Sequence, residues 1–123
     1  MGIFYKEESY KIIGICMEIH NYLGFGFSEI VYKDAMQIEF LRSEVPFERE
    51  VKYEIEYKGI ILPHVFYADF VAYDKIILEI KGKKEIADTD IAQAINYLKV
   101  SENKLALIIN FGEEKLNYKR IVL

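Results

Sequence analysis

From Glu7 to Leu23 apolar residues recur every three or four positions, at Ile12, Cys16, Ile19 and Leu23, which predicts a helix buried along one face. Gly24 follows as its natural stop, because glycine reaches the left-handed backbone that ends helices without steric cost. After "GFGF", Ser28 is placed to cap a second helix running to about Arg42, with Val31, Ala35, Ile38 and Leu41 on one face. The rhythm changes at Pro46. In "FEREVKYEIEYKG", Phe47, Val51, Tyr53, Ile55 and Tyr57 alternate with Glu48, Glu50, Lys52, Glu54, Glu56 and Lys58, the period of a strand with one wet face. Lys58-Gly59 reads as a turn into a second strand, "ILPHVFYADFVA", and a turn around Tyr73-Asp74 leads to a third, "KIILEIK", which Gly82 ends. Helical spacing returns from about Asp88 to Val100 through Ile91, Ile95 and Leu98. The segments "KLALIINF" and "LNYKRIVL", either side of Gly112, read as two more strands. The expected order is ααβββαββ, in a single domain over residues 1–123.

Composition supports an ordered globular chain, with 52% hydrophobic and 29% charged residues and only two prolines. A chain of this length buries roughly two-thirds of its unfolded surface and needs no disulfide or structural metal. Cys16, the single cysteine, sits at helical spacing among Ile12, Ile13 and Ile19, as a small apolar core residue would. No stretch approaches the ~18 apolar residues of a membrane span, and the opening "MGIFYKEESYK" carries no apolar signal core. A cytoplasmic protein without a membrane partner is therefore expected. The net charge of −4 argues against a broadly basic nucleic-acid coat. Charge is uneven, however: residues 1–80 carry 8 Lys and Arg against 14 Asp and Glu, and residues 81–123 carry 8 against 6. A local basic lip beside an acidic site is open to the chain.

Candidate chemistry gathers around the third strand. Glu79 and Lys81 in "LEIKGKK" lie two positions apart and so face the same way. Asp69, set among Phe66, Tyr67, Phe70 and Val71, is an expensive carboxylate unless a cation or hydrogen-bond donors compensate it. Register decides whether these groups meet. A two-residue turn at Tyr73-Asp74 puts Asp69 and Glu79 on opposite faces, whereas a three-residue loop, 72–74, pairs Asp69 with Ile77 and gathers Asp69, Glu79 and Lys81 on one face. Two carboxylates and a lysine suit hydrolysis assisted by Mg²⁺ or Mn²⁺, ions that prefer hard oxygen ligands and bind substrate phosphate. His20 and His64 lie in different elements without ligand spacing, which disfavours a zinc centre. Glu29 opens the second helix, where an acidic residue also meets the helix dipole favourably. Gln93 and Tyr97 are one helical turn apart in "QAINY", off the apolar face.

Together these pieces resemble the PD-(D/E)xK nuclease superfamily, whose αβββαβ core carries an Asp on its second strand and a (D/E)xK motif on its third. Here those are Asp69 and Glu79-Ile80-Lys81, with Ala68 in place of the proline that often precedes the Asp. "QAINY" matches the QxxxY motif of RecB-like members, and Gly26-Phe27-Ser28-Glu29-Ile30-Val31-Tyr32 is similar to the stretch that names the GxxExxY family. His20, "LGFG", "EIK", "QAINYL", "INFG" and "KRIV" extend that likeness over nearly the whole chain. The resemblance implies a restriction-endonuclease-like α/β fold with a mixed central sheet flanked by helices, plus an extra N-terminal helix. It also implies a metal held by Glu29, Asp69, Glu79 and the Ile80 carbonyl, with Lys81 as the catalytic lysine. Gln93 and Tyr97 would orient the site or touch a phosphate, and His20 would line the cleft, beside the reading of a hydrogen-bonded structural histidine.

The expectation is a nuclease dependent on Mg²⁺ or Mn²⁺ that acts on nucleic acid, DNA ahead of RNA. Lys83 and Lys84, with Lys119 and Arg120, are expected to contact phosphates. So little basic charge suggests help from a homodimer mate or a protein partner. The rival readings are a catalytically inactive nuclease-fold module that binds nucleic acid or protein, and a hydrolase of small phosphate esters.

Overall fold

A computed structural model of the protein describes residues 5–123; residues 1–4, the start of the stretch read for a signal segment, lie outside the described residues. The elements follow the expected order: α1 (Lys6–Leu23), α2 (Glu29–Arg42), β1 (Phe47–Tyr57), β2 (Ile60–Ala72), β3 (Ile76–Lys81), α3 (Asp88–Ser101), β4 (Leu105–Asn110) and β5 (Asn117–Val122). The five strands form one sheet in sequence order. All neighbours are antiparallel except β3 and β4, the pair that α3 connects, as a parallel pair needs a crossover. The fold is thus a mixed sheet flanked by helices, of restriction-endonuclease-like form. No helix among the described residues is long and apolar enough to cross a membrane.

Two cores cover the two sheet faces. On one, α1 and α2 pack Ile12, Cys16, Ile19, Tyr32, Met36 and Phe40 against Phe70, Ile76, Leu78, Ile80, Leu107 and Ile109. On the other, α3 packs Ala94 and Leu98 against Val71, Ile77, Ala106 and Ile108. Strands covered on both faces need apolar residues throughout, which explains why "IILEIK" and "LALIIN" are almost wholly buried. Cys16 is a buried filler, and burial pushes its thiol pKa up.

The face assigned to α2 needs correction. Its buried stripe is Tyr32, Met36 and Phe40, whereas Ile38 is 50% and Leu41 64% exposed. Tyr32 explains the rotation: its ring stacks on Phe111 and its hydroxyl donates to the Gly24 carbonyl, so a residue that looks amphipathic is buried with its polar end satisfied. Ser28 stands at the α2 N-cap without a side-chain capping bond. On α3 the buried positions are Asp90, Ala94 and Leu98, with Ile91 and Ile95 only partly covered.

Strands β1 and β2 invert their faces midway. Phe47, Phe70 and Ala72 pack on the side of α1 and α2, but Val51, Tyr53 and Ala68 pack on the side of α3. A regular period of two would keep Phe47, Val51 and Tyr53 together. The inversion falls where Glu50 faces Asp69, and Glu50 has a left-handed φ of 55°. Beyond it the hairpin arm, closed by Lys58 and Gly59 at φ 51° and 82°, leans over α3.

Candidate active site

The β2–β3 ladder contains three pairs, Phe70–Leu78, Val71–Ile77 and Ala72–Ile76. An odd-length loop was the condition for a common site, and the loop is residues 73–75, closed by the Lys75 N–H on the Ala72 carbonyl at 3.1 Å. It starts one residue later than 72–74, because Ala72 still pairs and Tyr73 and Asp74 take left-handed φ of 55° and 58°. Asp69 therefore stands opposite Glu79 rather than Ile77.

At that pair the ladder gives way to side chains. The Ile80 N–H donates to Asp69 Oδ2 at 2.7 Å, and the Asp69 N–H donates to Glu79 Oε2 at 3.3 Å. Strand β3 keeps its parallel pairing with β4 as far as Lys81–Asn110, so only its β2-side edge is open. The Lys81 carbonyl accepts from the Phe111 N–H on the closed side. Carbonyls alternate along a strand, so the Ile80 carbonyl is aimed into the gap beside Asp69.

Electrostatics sharpen the pair. Glu79 is 6% exposed; burial first, and then the Asp69 charge, push its pKa up to about 8, against the Asp69 N–H, Lys81 and Lys33. Lys33, buried on α2, sends its ammonium to Asp69 Oδ1 at 3.0 Å and to Glu50. Burial alone would lower its pKa, but these two partners hold it raised. Lys33 and Glu50 are absent from the sequence-derived set. A helical Lys beside Asp34 reads as solvated, and its partners lie on strands far along the chain.

The remaining expected residues divide. Lys81 leans toward Asp90, with Nζ 3.9 Å from Oδ1, while Lys83 pairs with Asp90 at 2.7 Å. Asp90 also accepts from the Ala87 N–H at 2.8 Å. Burial opposes its ionisation, yet Lys83, Ala87 and Lys81 hold its pKa below the usual carboxylate range. It was missed because it looked like an ordinary first-turn acid. Glu29 accepts from the Gly82 N–H at 3.0 Å, at the end of β3. Among the described residues no three His, Cys, Asp or Glu side chains converge closely enough to hold an ion; Asp69 and Glu79 meet, and Glu29 is drawn off by Gly82. Tyr97 stacks on Phe66 at 3.9 Å. Burial, then Glu79 and Asp69, raise its pKa. Gln93 is exposed one turn away, and Lys84 is exposed.

His20 is placed elsewhere: it is buried, its Nε2 is 2.9 Å from the Glu113 carbonyl, and its ring lies 6.2 Å from Phe111. Lys119 is exposed, and Arg120 donates to Ser9 Oγ at 2.9 Å. The loop after β3 is shaped by Asn110, fully buried, whose amide accepts from the Lys83 and Gly112 N–H groups and donates to the Lys83 carbonyl and Glu113. Gly112 lets the two segments touch: a Cβ there would lie 2.3 Å from Lys83 N and O.

A three-layer domain whose sheet opens between a paired Asp and Glu, with a lysine two residues on, has the architecture of a nuclease. The chain belongs to the PD-(D/E)XK nuclease superfamily, whose model matches residues 6–121. Members are metal-dependent nucleases as a class. A solved structure described as "Crystal structure of SSO0001" is similar to it, with a TM-score of 0.55 and 17% identity over 96% of this chain. The chain spans 57% of that longer protein, and at this identity the likeness concerns fold alone. No curated protein matches the chain.

Proposed function

We propose that the protein hydrolyses phosphodiester bonds in nucleic acid, DNA ahead of RNA, with Mg²⁺ or Mn²⁺, at the opening between β2 and β3. The observation that carries this reading is the facing Asp69–Glu79 pair, Glu79 buried and Asp69 partly so, with the Ile80 carbonyl directed at the same gap and Lys81 next along the strand. The donor set fits a hard divalent ion: all ligands are oxygens, and two adjacent carboxylates gain from a shared cation. Asp69, Glu79 and the Ile80 carbonyl would hold it, joined by Glu29 on leaving the Gly82 N–H. When bound, such an ion supplies a water of lowered pKa and neutralises charge on the phosphate.

The chain's own groups do the rest. Lys81 sets a cation beside Glu79, where it stabilises charge developing on the phosphate or orients the attacking water. Asp90, with Oδ1 3.9 Å from the Lys81 Nζ, aims that lysine, and α3 brings Tyr97 within electrostatic reach of Glu79 and Asp69, with Gln93 one turn before it to orient substrate. Lys33 balances Asp69 from the opposite side. Lys84 is exposed for a phosphate contact, and Lys83 is available once it leaves Asp90. His20, held by Glu113, serves the fold in this reading.

Purified protein is expected to cut DNA in Mn²⁺ or Mg²⁺ and to lose at least a hundredfold of that rate in Asp69→Ala or with EDTA. Cleavage that survives both treatments would sink the mechanism.

A further inference from the structure

Beside the catalytic opening, on the other side of Tyr97, lies a groove of about 410 Å³ between α3 and the inverted hairpin arm. Its floor is apolar, made by Ile55, Phe66 and Tyr97, and its rim carries Thr89, Gln93 and Asn96. Phe66 is stacked between Tyr53, at 5.1 Å, and Tyr97, at 3.9 Å, so the floor is rigid. No charged side chain lines it. A phosphate or an acidic or basic peptide would find no counter-charge there. With both faces of Phe66 covered, a flat, neutral group with hydrogen-bonding edges would find ring edges and the Ile55 side chain below and amides and a hydroxyl at its margin, an uncharged lining that suits an unpaired base read by its edges.

Position matches that chemistry. Phe66 precedes Asp69 by three residues on β2, about 10 Å along the strand, so the groove is within reach of a nucleotide next to the one being cut. The lysines point the same way: Lys81 and Lys83 are engaged by Asp90, and the net charge is −4. Gripping duplex backbone by phosphate neutralisation is poorly supplied here.

We infer that this groove is a nucleobase site, and that the protein engages its substrate as an unpaired strand with a base between α3 and the hairpin arm. This deepens the proposed nuclease reading and rests on it for the identity of the strand.

The test is fluorescence anisotropy of the full chain, in EDTA so that nothing is cut, with a labelled single-stranded oligonucleotide and a hairpin duplex of equal length. At least tenfold preference for the single strand is expected, with a shallow dependence on salt. Ala92→Leu, which fills the groove from an exposed position, and Asn96→Ala, which strips its rim, should each weaken single-strand binding about fivefold or more while thermal unfolding is unchanged. The inference is overturned by duplex bound as tightly as single strand, by wild-type binding in both variants, by a free nucleoside bound as tightly as the oligonucleotide, or by no binding at all. Cleavage lost in Asp69→Ala with these variants silent would leave the nuclease and remove the groove. Groove-dependent binding without any cleavage would do the reverse.

Discussion

Glu79 is held in two opposing ways. Leu78 and Ile80 anchor β3 in the core and carry the carboxyl inward, where burial and Asp69 raise its pKa to about 8 from an ordinary 4.5. The native state then binds a proton that the unfolded chain gives up near pH 4.5. Stability that is complete below that pH is lost as pH rises toward 8. In metal-free protein, Glu79→Gln should therefore match the wild type at about pH 4.5 and exceed it by on the order of 4–5 kcal/mol at pH 8 and above, read from urea unfolding at both pH values. A variant weaker than wild type at pH 8 would place the burden elsewhere. Lys33 is the counterpart. With its ammonium between Asp69 and Glu50, Lys33→Met should cost about 2 kcal/mol, less than a fully buried pair because Glu50 is half exposed. Lys33→Arg, which keeps the charge, should recover part of that loss in the same assay.

Among the elements, the segment joining β3 to α3 governs where Lys81 points. Three groups hold it: Asn110 grips Lys83 from below, Gly82 donates to Glu29, and Asp90 gathers both lysines. Gly112 admits this crossing, since a Cβ there would strike the Lys83 backbone at 2.3 Å. Gly112→Ala should destabilise the protein by about 3 kcal/mol and cut cleavage further than the unfolded fraction explains. Equal losses of activity and folded protein would limit the glycine to stability. The element order was legible because three rhythms alternate cleanly, and Asp69 could be tied to Glu79 once loop parity was considered. The inward face of α2 was not legible, since Val31, Ala35, Ile38 and Leu41 form as good a stripe as Tyr32, Met36 and Phe40. Nor were Lys33, Glu50, Asp90 or Asn110. Each is defined by a partner on another element, and a local pattern of charges holds no information about that partner. The face inversion at Glu50 was hidden for a similar reason, as Phe47 and Val51 keep the same parity across it and Arg49 is the one interruption of the apolar register.

At the scale of the whole molecule, the proposed ion would couple folding to metal and proton binding. An ion that binds the folded form alone stabilises it by about 2.7 kcal/mol at a hundred times its dissociation constant. For a domain of this size that raises the melting temperature by roughly 10 °C. Binding must also displace the proton that Glu79 carries below about pH 8, since carboxylates coordinate ionised. Wild-type protein should therefore show a melting shift with Mg²⁺ or Mn²⁺ that grows from pH 6 to pH 8. Calorimetry in buffers of differing ionisation enthalpy should find close to one proton released per ion near pH 7, and almost none in Glu79→Gln. Asp69→Asn should remove most of the shift, because it takes one of the two facing carboxylate charges from the ion and leaves Glu79 with the Ile80 carbonyl while Glu29 is still bonded to the Gly82 N–H. A shift of full size in Asp69→Asn would place the ion away from the β2–β3 opening. A pH-independent shift without proton release would mean that Glu79 is already ionised in the fold.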